Sequence, residues 1–265
     1  MPKSLRDKVI WITGASSGIG EALAYTLARE GASLVLSARN QKKLEEVRSA
    51  CLEYTSNCLV QPLDLSQSSQ LAGIVHSVQE QTGGIDILIN NAGQSQRSLA
   101  KETSLEIDRS IMELNFFSAV TLSKEVLPRM LEKRSGHIVV ISSITGKFGF
   151  PLRTAYSAAK HALQGYFESL RAELKPDHIK VTIVSPGRVR TNISYNALTR
   201  NGQPYNKLDE GQASGMDPNV CASKIVKAIK KERKEILVGG REILMVYIRR
   251  FIPAVYHRLV TKIKN

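Results

Sequence analysis

A tyrosine and a lysine four residues apart are the side chains in this sequence best suited to acid–base chemistry. Tyr156 and Lys160 stand in the stretch Tyr-Ser-Ala-Ala-Lys, and Ser143 lies 13 residues before the tyrosine. A phenol has a reference pKa near 10, and a neighbouring ammonium lowers it because the ammonium favours the phenolate. Residues four apart share one face of a helix, so Lys160 can act on Tyr156 in this way. Ser143 could then supply a hydroxyl to the carbonyl or alcohol that Tyr156 serves.

Tyrosine and lysine also meet at this spacing on many helices by chance. Whether this pair is catalytic therefore depends on the secondary-structure elements and motifs around it. Short apolar, β-branched runs alternate with longer stretches of helical periodicity along the whole chain. The predicted strands are 9–13, 33–37, 58–61, 85–89, 136–141, 179–184 and 236–238, and the predicted helices are 18–30, 41–54, 67–81, 105–132, 155–174 and 218–231.

This alternation predicts the fold class. Strands that are apolar along nearly their whole length are typical of a parallel sheet covered by helices. We expect an α/β protein with a doubly wound, mostly parallel sheet, a Rossmann fold of about seven strands with helices on both faces. One such domain should span 1–240, followed by a basic amphipathic extension at 241–265. Residues 192–215 lack periodicity, and a loop that long is usually functional, so we expect a substrate loop at 188–216.

Composition argues against several function classes. The 265 residues are 42% hydrophobic and 23% charged, as in a globular protein. The three cysteines and five histidines do not stand at metal-binding spacings, so no metal is expected. So few cysteines, odd in number, are typical of a protein in a reducing compartment. The N-terminus contains no signal-peptide core, and no run reaches the roughly 18 apolar residues of a membrane-spanning helix. We therefore expect a cytoplasmic protein.

The net charge of +13 is concentrated at the carboxyl end, where residues 224–265 carry 12 Lys or Arg and 3 Glu. A basic tail suits nucleic acid, an acidic membrane surface or simple solubility. Apolar runs broken by Arg249 and Arg250 suit a membrane interface better than a nucleic-acid groove, so no nucleic-acid partner is expected. A terminal helix that packs on the body or on a partner subunit explains the pattern equally well. A peripheral membrane location therefore stays open.

A glycine-rich turn between the first strand and the first helix is the second candidate site. Within residues 13–20, glycines stand at 14, 18 and 20, as Gly-x-x-x-Gly-x-Gly. Only glycine lets the backbone turn this tightly and approach a pyrophosphate at a helix N-terminus without a Cβ in the way. The spacing differs from the general dinucleotide fingerprint Gly-x-Gly-x-x-Gly. A tight turn without any ligand would also use these glycines.

Together, these features resemble the short-chain dehydrogenase/reductase family over nearly the full length of the chain. The residues that carry the resemblance, in the family's order and spacing, are Thr13–Gly20, Asn90-Asn91-Ala92-Gly93, Asn115, Ser143, Tyr156, Lys160 and Pro186-Gly187. The segment Gln94-Ser95-Gln96-Arg97-Ser98 and the basic tail with its Ile-Pro pair look most like the member 7 and 7B branch.

The resemblance implies an NADP(H)-dependent oxidoreductase that interconverts a carbonyl and an alcohol by hydride transfer. Tyr156 would be the general acid or base, and Lys160 would hold the cofactor ribose and lower the pKa of Tyr156. Ser143 would stabilise charge on the substrate oxygen. Asn115 would support a water relay to Lys160. The alternative is a protein of the same fold that senses the cofactor without turnover.

The choice of NADP(H) depends on the end of the second strand. An Asp there would accept from the ribose 2′-hydroxyl of NAD, but the sequence has Ser37-Ala38-Arg39. Arg39 offers a positive charge and several donors to a 2′-phosphate, although solvated arginines at strand ends are common. The expected cofactor contacts are Gly14, Ser16, Ser17, Gly18, Ile19, Gly20, Arg39, Asn40, Asp64, Leu65, Asn91, Ala92, Gly93, Tyr156, Lys160, Pro186, Gly187, Val189 and Thr191.

The sequence says least about the substrate. Ser143, Thr145, Phe150 and Tyr156 are the expected substrate contacts, with residues 192–215 as part of the pocket wall. Aromatic residues at 148 and 150 and the amphipathic tail favour a lipophilic carbonyl compound or alcohol, although such aromatics as often pack beneath a loop. The resemblance further implies a homodimer or homotetramer that pairs through long helices.

Overall fold

A computed structural model describes residues 2–261, and within them seven strands form one parallel sheet. The strands are β1 (Val9–Thr13), β2 (Ser33–Ser37), β3 (Cys58–Val60), β4 (Ile87–Asn90), β5 (Gly136–Ile141), β6 (Ile179–Pro186) and β7 (Glu235–Val238). Their order across the sheet is β3-β2-β1-β4-β5-β6-β7, and every neighbouring pair is parallel.

Helices alternate with these strands. They are α1 (Gly18–Arg29), α2 (Gln41–Cys51), α3 (Ser68–Thr82), α4 (Leu105–Met112), α5 (Ser118–Glu132), α6 (Thr154–Glu173), α7 (Glu210–Ala213), α8 (Pro218–Lys230), α9 (Leu244–Phe251) and α10 (Pro253–Val260).

Side chains that alternate along the strands form two hydrophobic cores, one on each face of the sheet. In β1, Ile10 and Ile12 join the core beneath α1, α2 and α8, whereas Trp11 joins the core beneath α3, α5 and α6. All three side chains are completely buried. Helices therefore cover both faces, and the predicted doubly wound parallel sheet is confirmed.

The centre of the sheet determines where a site can form. Strand β1 pairs with β2 on one side and with β4 on the other, so the chain leaves it in opposite directions. At such a reversal of strand order the loops diverge and leave a crevice at the carboxyl ends of the strands. The glycine turn follows β1 and the Asn-Asn-Ala-Gly segment follows β4, which brings both to this crevice.

The prediction of one continuous helix at 105–132 was wrong, because the structure interrupts it near its middle. A π-helical turn at Glu113–Phe117 separates α4 from α5. The Nδ2 of Asn115 donates to the carbonyl oxygen of Ile111 at 2.8 Å. A side chain that bonds to the carbonyl one turn earlier competes with the regular helix ladder and can bend the helix. Because π-helical turns frequently occur at functional sites, this one draws attention to Asn115.

The basic tail packs on the body of the protein, which was one of the two predicted alternatives. The side chain of Tyr256 in α10 is buried, and its hydroxyl donates to the carbonyl oxygen of Gly149 at 2.6 Å. Its ring meets that of Phe148 edge-on, with centroids 5.7 Å apart. Residues 262–265 of the predicted extension lie outside the described residues.

Candidate active site

A cavity of about 600 Å³ lies at the carboxyl ends of the central strands. The segments that follow β1, β2, β4, β5 and β6 all contribute to its wall. Residues of the loop at 188–216 line it as well, among them Thr191, Ile193, Asn196 and Pro204. Residues distant in the sequence therefore share one pocket.

The glycine turn has the backbone conformation that its composition predicts. Gly14 and Gly18 have φ of +66° and +60°, in the left-handed region that glycine adopts without strain. A Cβ at Gly14 would lie 3.0 Å from the Cα of Ala92, and a Cβ at Gly20 would collide with the carbonyl oxygen of Gly14. The Nδ2 of Asn91 holds the turn in place by donating to a backbone carbonyl within it at 2.9 Å. Such a cradle, which side chains would fill, fits a pyrophosphate beside the N-terminus of α1.

Arg39 and Asp64 border the same cavity at the ends of β2 and β3. Ser66 donates to Asp64 from its backbone N–H at 3.0 Å and from its hydroxyl at 2.8 Å. These hydrogen bonds hold the pKa of Asp64 below its usual range, and the positive charge of Arg39 adds to the effect. Asn40, the third predicted contact here, caps α2 by accepting from the N–H of Lys43 at 3.1 Å.

Tyr156 and Ser143 meet on the cavity wall, where α6 begins and β5 has ended. Burial raises the pKa of Tyr156 because the phenolate would be poorly solvated. A hydrogen bond with Ser143 opposes this rise, as do the positive charges of Arg97 and Arg153. The site thus contains a protonated phenol and a serine hydroxyl on the same cavity wall.

Lys160 lies one helical turn beyond Tyr156 and is almost completely buried. Its Nζ donates to the carbonyl oxygen of Ile141 at 2.9 Å and lies 5.6 Å from the centre of the Tyr156 ring. Burial lowers the pKa of Lys160 to about 8. The helical spacing places the two side chains together as expected, and the effect of Lys160 on the pKa of Tyr156 stays a prediction.

Asn115 stands behind the cavity wall. Its Nδ2 donates to the carbonyl oxygen of Gln94 at 3.0 Å, and its Oδ1 accepts from the N–H of the same residue at 3.2 Å. A Cβ at Gly93 would meet the Oδ1 of Asn115 at 2.7 Å and the Nζ of Lys160 at 3.4 Å. Gly93 therefore lies between Asn115 and Lys160, and Asn115 fixes the segment that follows β4.

The structure brings nearly all of the predicted site residues together. Gly20 and Asn115 are the two that do not line the cavity, because each lies behind the backbone that does. The predicted residues on the wall are Gly14, Ser16, Ser17, Gly18, Ile19, Arg39, Asn40, Asp64, Leu65, Asn91, Ala92, Gly93, Ser143, Thr145, Phe150, Tyr156, Lys160, Pro186, Gly187, Val189 and Thr191.

Sequence reasoning missed a charged cluster beside Tyr156. Arg97 donates from its Nε to the Oδ2 of Asp209 at 3.0 Å, and Arg153 donates to the same oxygen at 3.0 Å. All three side chains line the cavity. Arg97 had served only as part of a family resemblance, and no local pattern marks Arg153 or Asp209.

Gln96 was also missed as a positioning residue. Its side chain is completely buried, and its Oε1 accepts from the N–H of Ala155 at 2.9 Å. Its Nε2 donates to the hydroxyl of Ser98 at 3.1 Å. Because Ala155 directly precedes Tyr156, this bond ties the first turn of α6 to the segment after β4. Like Arg97, Gln96 had served only as part of the family resemblance, and no local pattern marks it.

Two features are absent from residues 2–261. Within them, no group of three or more Cys, His, Asp or Glu is arranged to hold a metal ion. No helix in this described part combines the length and apolarity needed to cross a membrane.

Comparison with known proteins identifies related chains. Residues 8–201 match the family model described as short chain dehydrogenase. A "Dehydrogenase/reductase SDR family protein 7-like" of Anopheles gambiae is 44% identical over 98% of this chain and 84% of its own length. This similarity confirms the branch that residues 94–98 and the tail indicated.

Solved structures share the architecture. A metagenomic short-chain oxidoreductase in complex with NADP is 28% identical, with a TM-score of 0.74 over 89% of this chain and 98% of that one. A short chain dehydrogenase/reductase from Burkholderia phymatum in complex with NAD is 23% identical, with a TM-score of 0.85 over 96% of each chain. The second likeness is one of fold alone.

Proposed function

This chain belongs to the short-chain dehydrogenase/reductase family of oxidoreductases, and we propose that it interconverts a carbonyl compound and an alcohol with NADP(H). One observation carries the proposal. Tyr156, Ser143 and Lys160 meet on the wall of a cavity that also borders the glycine cradle. It supports the proposal because a phenol that can donate a proton adjoins a cavity suited to a dinucleotide.

Tyr156 is the proton donor to the substrate oxygen during reduction and the base during oxidation. Its raised pKa keeps the phenol protonated at neutral pH, as a donor requires. Ser143 binds the same oxygen and stabilises the charge that develops there. The hydroxyl oxygen of Thr145 is buried and has no hydrogen-bond partner among residues 2–261, so it is available for a polar substrate group. A nicotinamide cofactor, when bound, would supply or accept the hydride.

Lys160 and Asn115 support this chemistry from behind. A lysine with a pKa of about 8 is charged at neutral pH, but burial has removed its ammonium group from water, which destabilises the charged form. Hydroxyls of the cofactor ribose are suitable acceptors for its ammonium group. Asn115 acts as a positioning residue, since both of its hydrogen bonds to Gln94 hold the strand-end backbone beside Lys160.

Arg39 supports the choice of NADP(H). It lies at the end of β2 on the cavity wall, where a guanidinium can offer several donors to a 2′-phosphate. We expect Arg39→Asp to reverse the preference, lowering kcat/KM with NADPH by about tenfold or more and sparing that with NADH. Arg109→Ala, which removes an exposed arginine from α4, is the control and should change neither. Equal use of both cofactors by the wild-type protein would contradict the assignment.

The catalytic assignment is tested by Tyr156→Phe. Loss of a general acid should lower turnover of a responsive ketone or aldehyde on the order of 100- to 10,000-fold while NADPH binding is retained. Tyr166→Phe, in the same helix and partly buried, is the matched control and should stay near wild type. Unchanged turnover in Tyr156→Phe would contradict the proposed role of Tyr156. A protein that binds NADPH but turns over no carbonyl on a broad panel would favour the cofactor-sensing alternative.

Apolar side chains support a lipophilic substrate. Leu114, Ile144, Phe150, Ile193 and Pro204 line the cavity together with Tyr156. For a ketone series of increasing chain length, burial on such a wall should lower KM about fourfold per added methylene, which corresponds to about 0.8 kcal/mol, until the cavity is filled. A KM independent of chain length would contradict this part of the proposal.

An exposed apolar face on α9 and α10 supports contact with an acidic membrane surface. Phe251 is 72% exposed, and the other large exposed apolar residues of this face are Leu244, Tyr247, Ile252, Val255 and Leu259. Exposed arginines at 249, 250 and 258 stand among them. An apolar patch with surrounding arginines matches a lipid interface with anionic headgroups.

Phe251→Ser tests this contact by vesicle co-sedimentation. Because a buried phenylalanine contributes about 1.5–3 kcal/mol, binding to vesicles that contain phosphatidylserine should fall about tenfold or more. Leu52→Ser removes an exposed apolar residue after α2 and should have no effect. Equal binding by wild type and Phe251→Ser would refute the contact.

Pairing through the long helices also stays a proposal. Phe117, next to α5, is 47% exposed, and its ring packs against Phe116 with centroids 5.0 Å apart. Phe116 in turn contacts Tyr166 of α6 at 5.9 Å. We expect Phe117→Asp to shift the protein from a dimer or tetramer to a monomer in analytical ultracentrifugation. Tyr54→Asp, at another exposed aromatic, should leave the mass unchanged, and a monomeric wild type would refute the proposal.

A further inference from the structure

Three charged side chains on the cavity wall take no part in the hydride and proton transfers proposed above. Arg97 follows β4, Arg153 directly precedes α6, and Asp209 belongs to the loop at 188–216. Only 3%, 12% and 10% of their side-chain surfaces are exposed. Charged side chains are rarely buried to this extent without a partner or a role.

The cluster contains two positive charges and one negative charge. Burial lowers the pKa of Arg153 to about 10, so the guanidinium stays charged at neutral pH. The one other acidic residue among the described residues on the cavity wall is Asp64, which borders it beside Arg39. The wall near Tyr156 is therefore positive, and a positive cleft with apolar walls concentrates anions.

The cluster also lies close to the reacting atoms. Arg153 directly precedes the first turn of α6, which carries Tyr156. Arg97 follows Gln96, whose side chain accepts from the N–H of Ala155 at 2.9 Å. The positive charges of both arginines oppose the rise in the pKa of Tyr156. The guanidinium of Arg153 lies 4.4 Å from the centre of the Phe150 ring. A cation thus adjoins an apolar surface, next to the place where a substrate carbonyl would bind.

We propose that Arg97 and Arg153 recognise an anionic group, a carboxylate or a phosphate, that the substrate carries close to its reacting carbonyl. The inference rests on the oxidoreductase function proposed above and names its substrate class: an amphiphilic oxo acid or oxo phosphate, or the matching hydroxy compound. Guanidinium groups suit either anion because their donors match paired oxygens. Asp209 orients both arginines from the loop that covers the cavity.

A purely structural cluster is the competing explanation. Asp209 could simply tie the loop to the body of the protein through its ion pairs. One arginine would be sufficient to hold the loop through an ion pair with Asp209. The second arginine adds a buried charge, and removing that charge from water is costly, so a purely structural role does not explain it. The two explanations differ in what the arginines do for charged and for neutral substrates.

A matched substrate series separates them. It consists of a straight-chain ketone, the keto acid of the same length, its methyl ester and the corresponding keto phosphonate. A charge-assisted hydrogen bond contributes about 1.5–3 kcal/mol, so kcat/KM for one of the two anions should exceed that for the ester roughly 10- to 150-fold. The carboxylate and phosphonate arms show which anion is preferred. Arg153→Gln and Arg97→Gln should each lower this ratio about tenfold or more, and Arg153→Lys should retain part of it.

Binding without turnover separates a failure of this inference from a failure of the proposed function. In Tyr156→Phe protein saturated with oxidised cofactor, calorimetry should show tighter binding of the favoured anion than of the methyl ester. The added Arg153→Gln change should abolish the difference. Circular dichroism and thermal melts check folding, and Arg153→Lys replaces Arg153→Gln if that variant does not fold.

Two results would overturn the proposal. One is equal affinity for the anions and the ester in the Tyr156→Phe protein. The other is a parallel loss of kcat/KM for every member of the series in Arg97→Gln, Arg153→Gln and Asp209→Asn, with the ratio of anion to ester unchanged. The latter is the outcome that a structural tie predicts.

Discussion

Replacement of Lys160 by methionine should make the cofactor-free protein more stable at neutral pH. Burial lowers the pKa of Lys160 from 10.5 to about 8, and each pKa unit between the folded and unfolded states corresponds to 1.36 kcal/mol. Burying the ammonium therefore destabilises the folded state by about 3 kcal/mol below pH 8. Methionine has a similar length and no charge, but it loses the hydrogen bond to Ile141, worth about 1 kcal/mol. The expected net gain is about 2 kcal/mol in the free energy of unfolding.

The gain should depend on pH in a defined direction. Below pH 8 the lysine is charged in both states, so the folded wild type bears the full cost. Between about pH 8 and 10.5 the folded state releases its proton while the unfolded state keeps it, so wild-type stability rises with pH relative to the variant. The difference between the two proteins should therefore shrink across that window.

Urea denaturation followed through the fluorescence of the single, buried Trp11 measures this difference near neutral pH and near pH 9.5. Lys124→Met, which removes an exposed lysine from α5, should change stability by less than about 0.5 kcal/mol at either pH. A less stable Lys160→Met protein, or a gain that is the same at both pH values, would refute the reasoning.

Two further predictions concern the cradle and the tail. Gly20→Ala should abolish most nucleotide binding in calorimetry, because the new Cβ would collide with a carbonyl oxygen of the same turn. A Cβ at Gly73 in α3 would meet no atom within 4 Å, so the control variant Gly73→Ala should bind nucleotide normally. Equal affinities would contradict the cradle. Tyr256→Ala should remove about 3–5 kcal/mol of packing free energy and speed tryptic cleavage in α9. Tyr247→Ala, at a half-exposed position, should leave the rate of cleavage unchanged. Unchanged cleavage would show that α10 does not depend on Tyr256 for its position.

The fold could be predicted because its determinants are local. Alternating runs of apolar strand residues and helical periodicity reflect burial by nearby elements, and they placed seven strands in a doubly wound sheet. The nucleotide side of the candidate site followed for the same reason. A positive φ at Gly14 and at Gly18 is a requirement of one turn, and glycine is the residue that satisfies it.

The substrate side could not be predicted because its contacts join distant segments. Arg153 and Asp209 are 56 residues apart, and Arg97 and Asp209 are 112 apart, so no periodicity or short motif links them. The effect of Lys160 on the pKa of Tyr156, which stays a prediction, was expected from helical spacing and from the family resemblance. That spacing fixes which face a side chain occupies, but the direction of the ammonium depends on the carbonyl of Ile141, which a neighbouring strand supplies.

Two hydrogen bonds join the described part of the tail to segments of the cavity wall, which determines how a membrane contact can be tested. The Oε1 of Glu242 accepts from the N–H of Arg188 at 2.9 Å, at the start of the loop that lines the cavity. At the other place, Tyr256 bonds to the carbonyl oxygen of Gly149, directly before Phe150 on the cavity wall. Removal of residues 241–265 would release both contacts and loosen the substrate side together with the exposed face. A loss of activity after that truncation would therefore say nothing about lipids, whereas Phe251→Ser changes the exposed face and leaves both contacts in place.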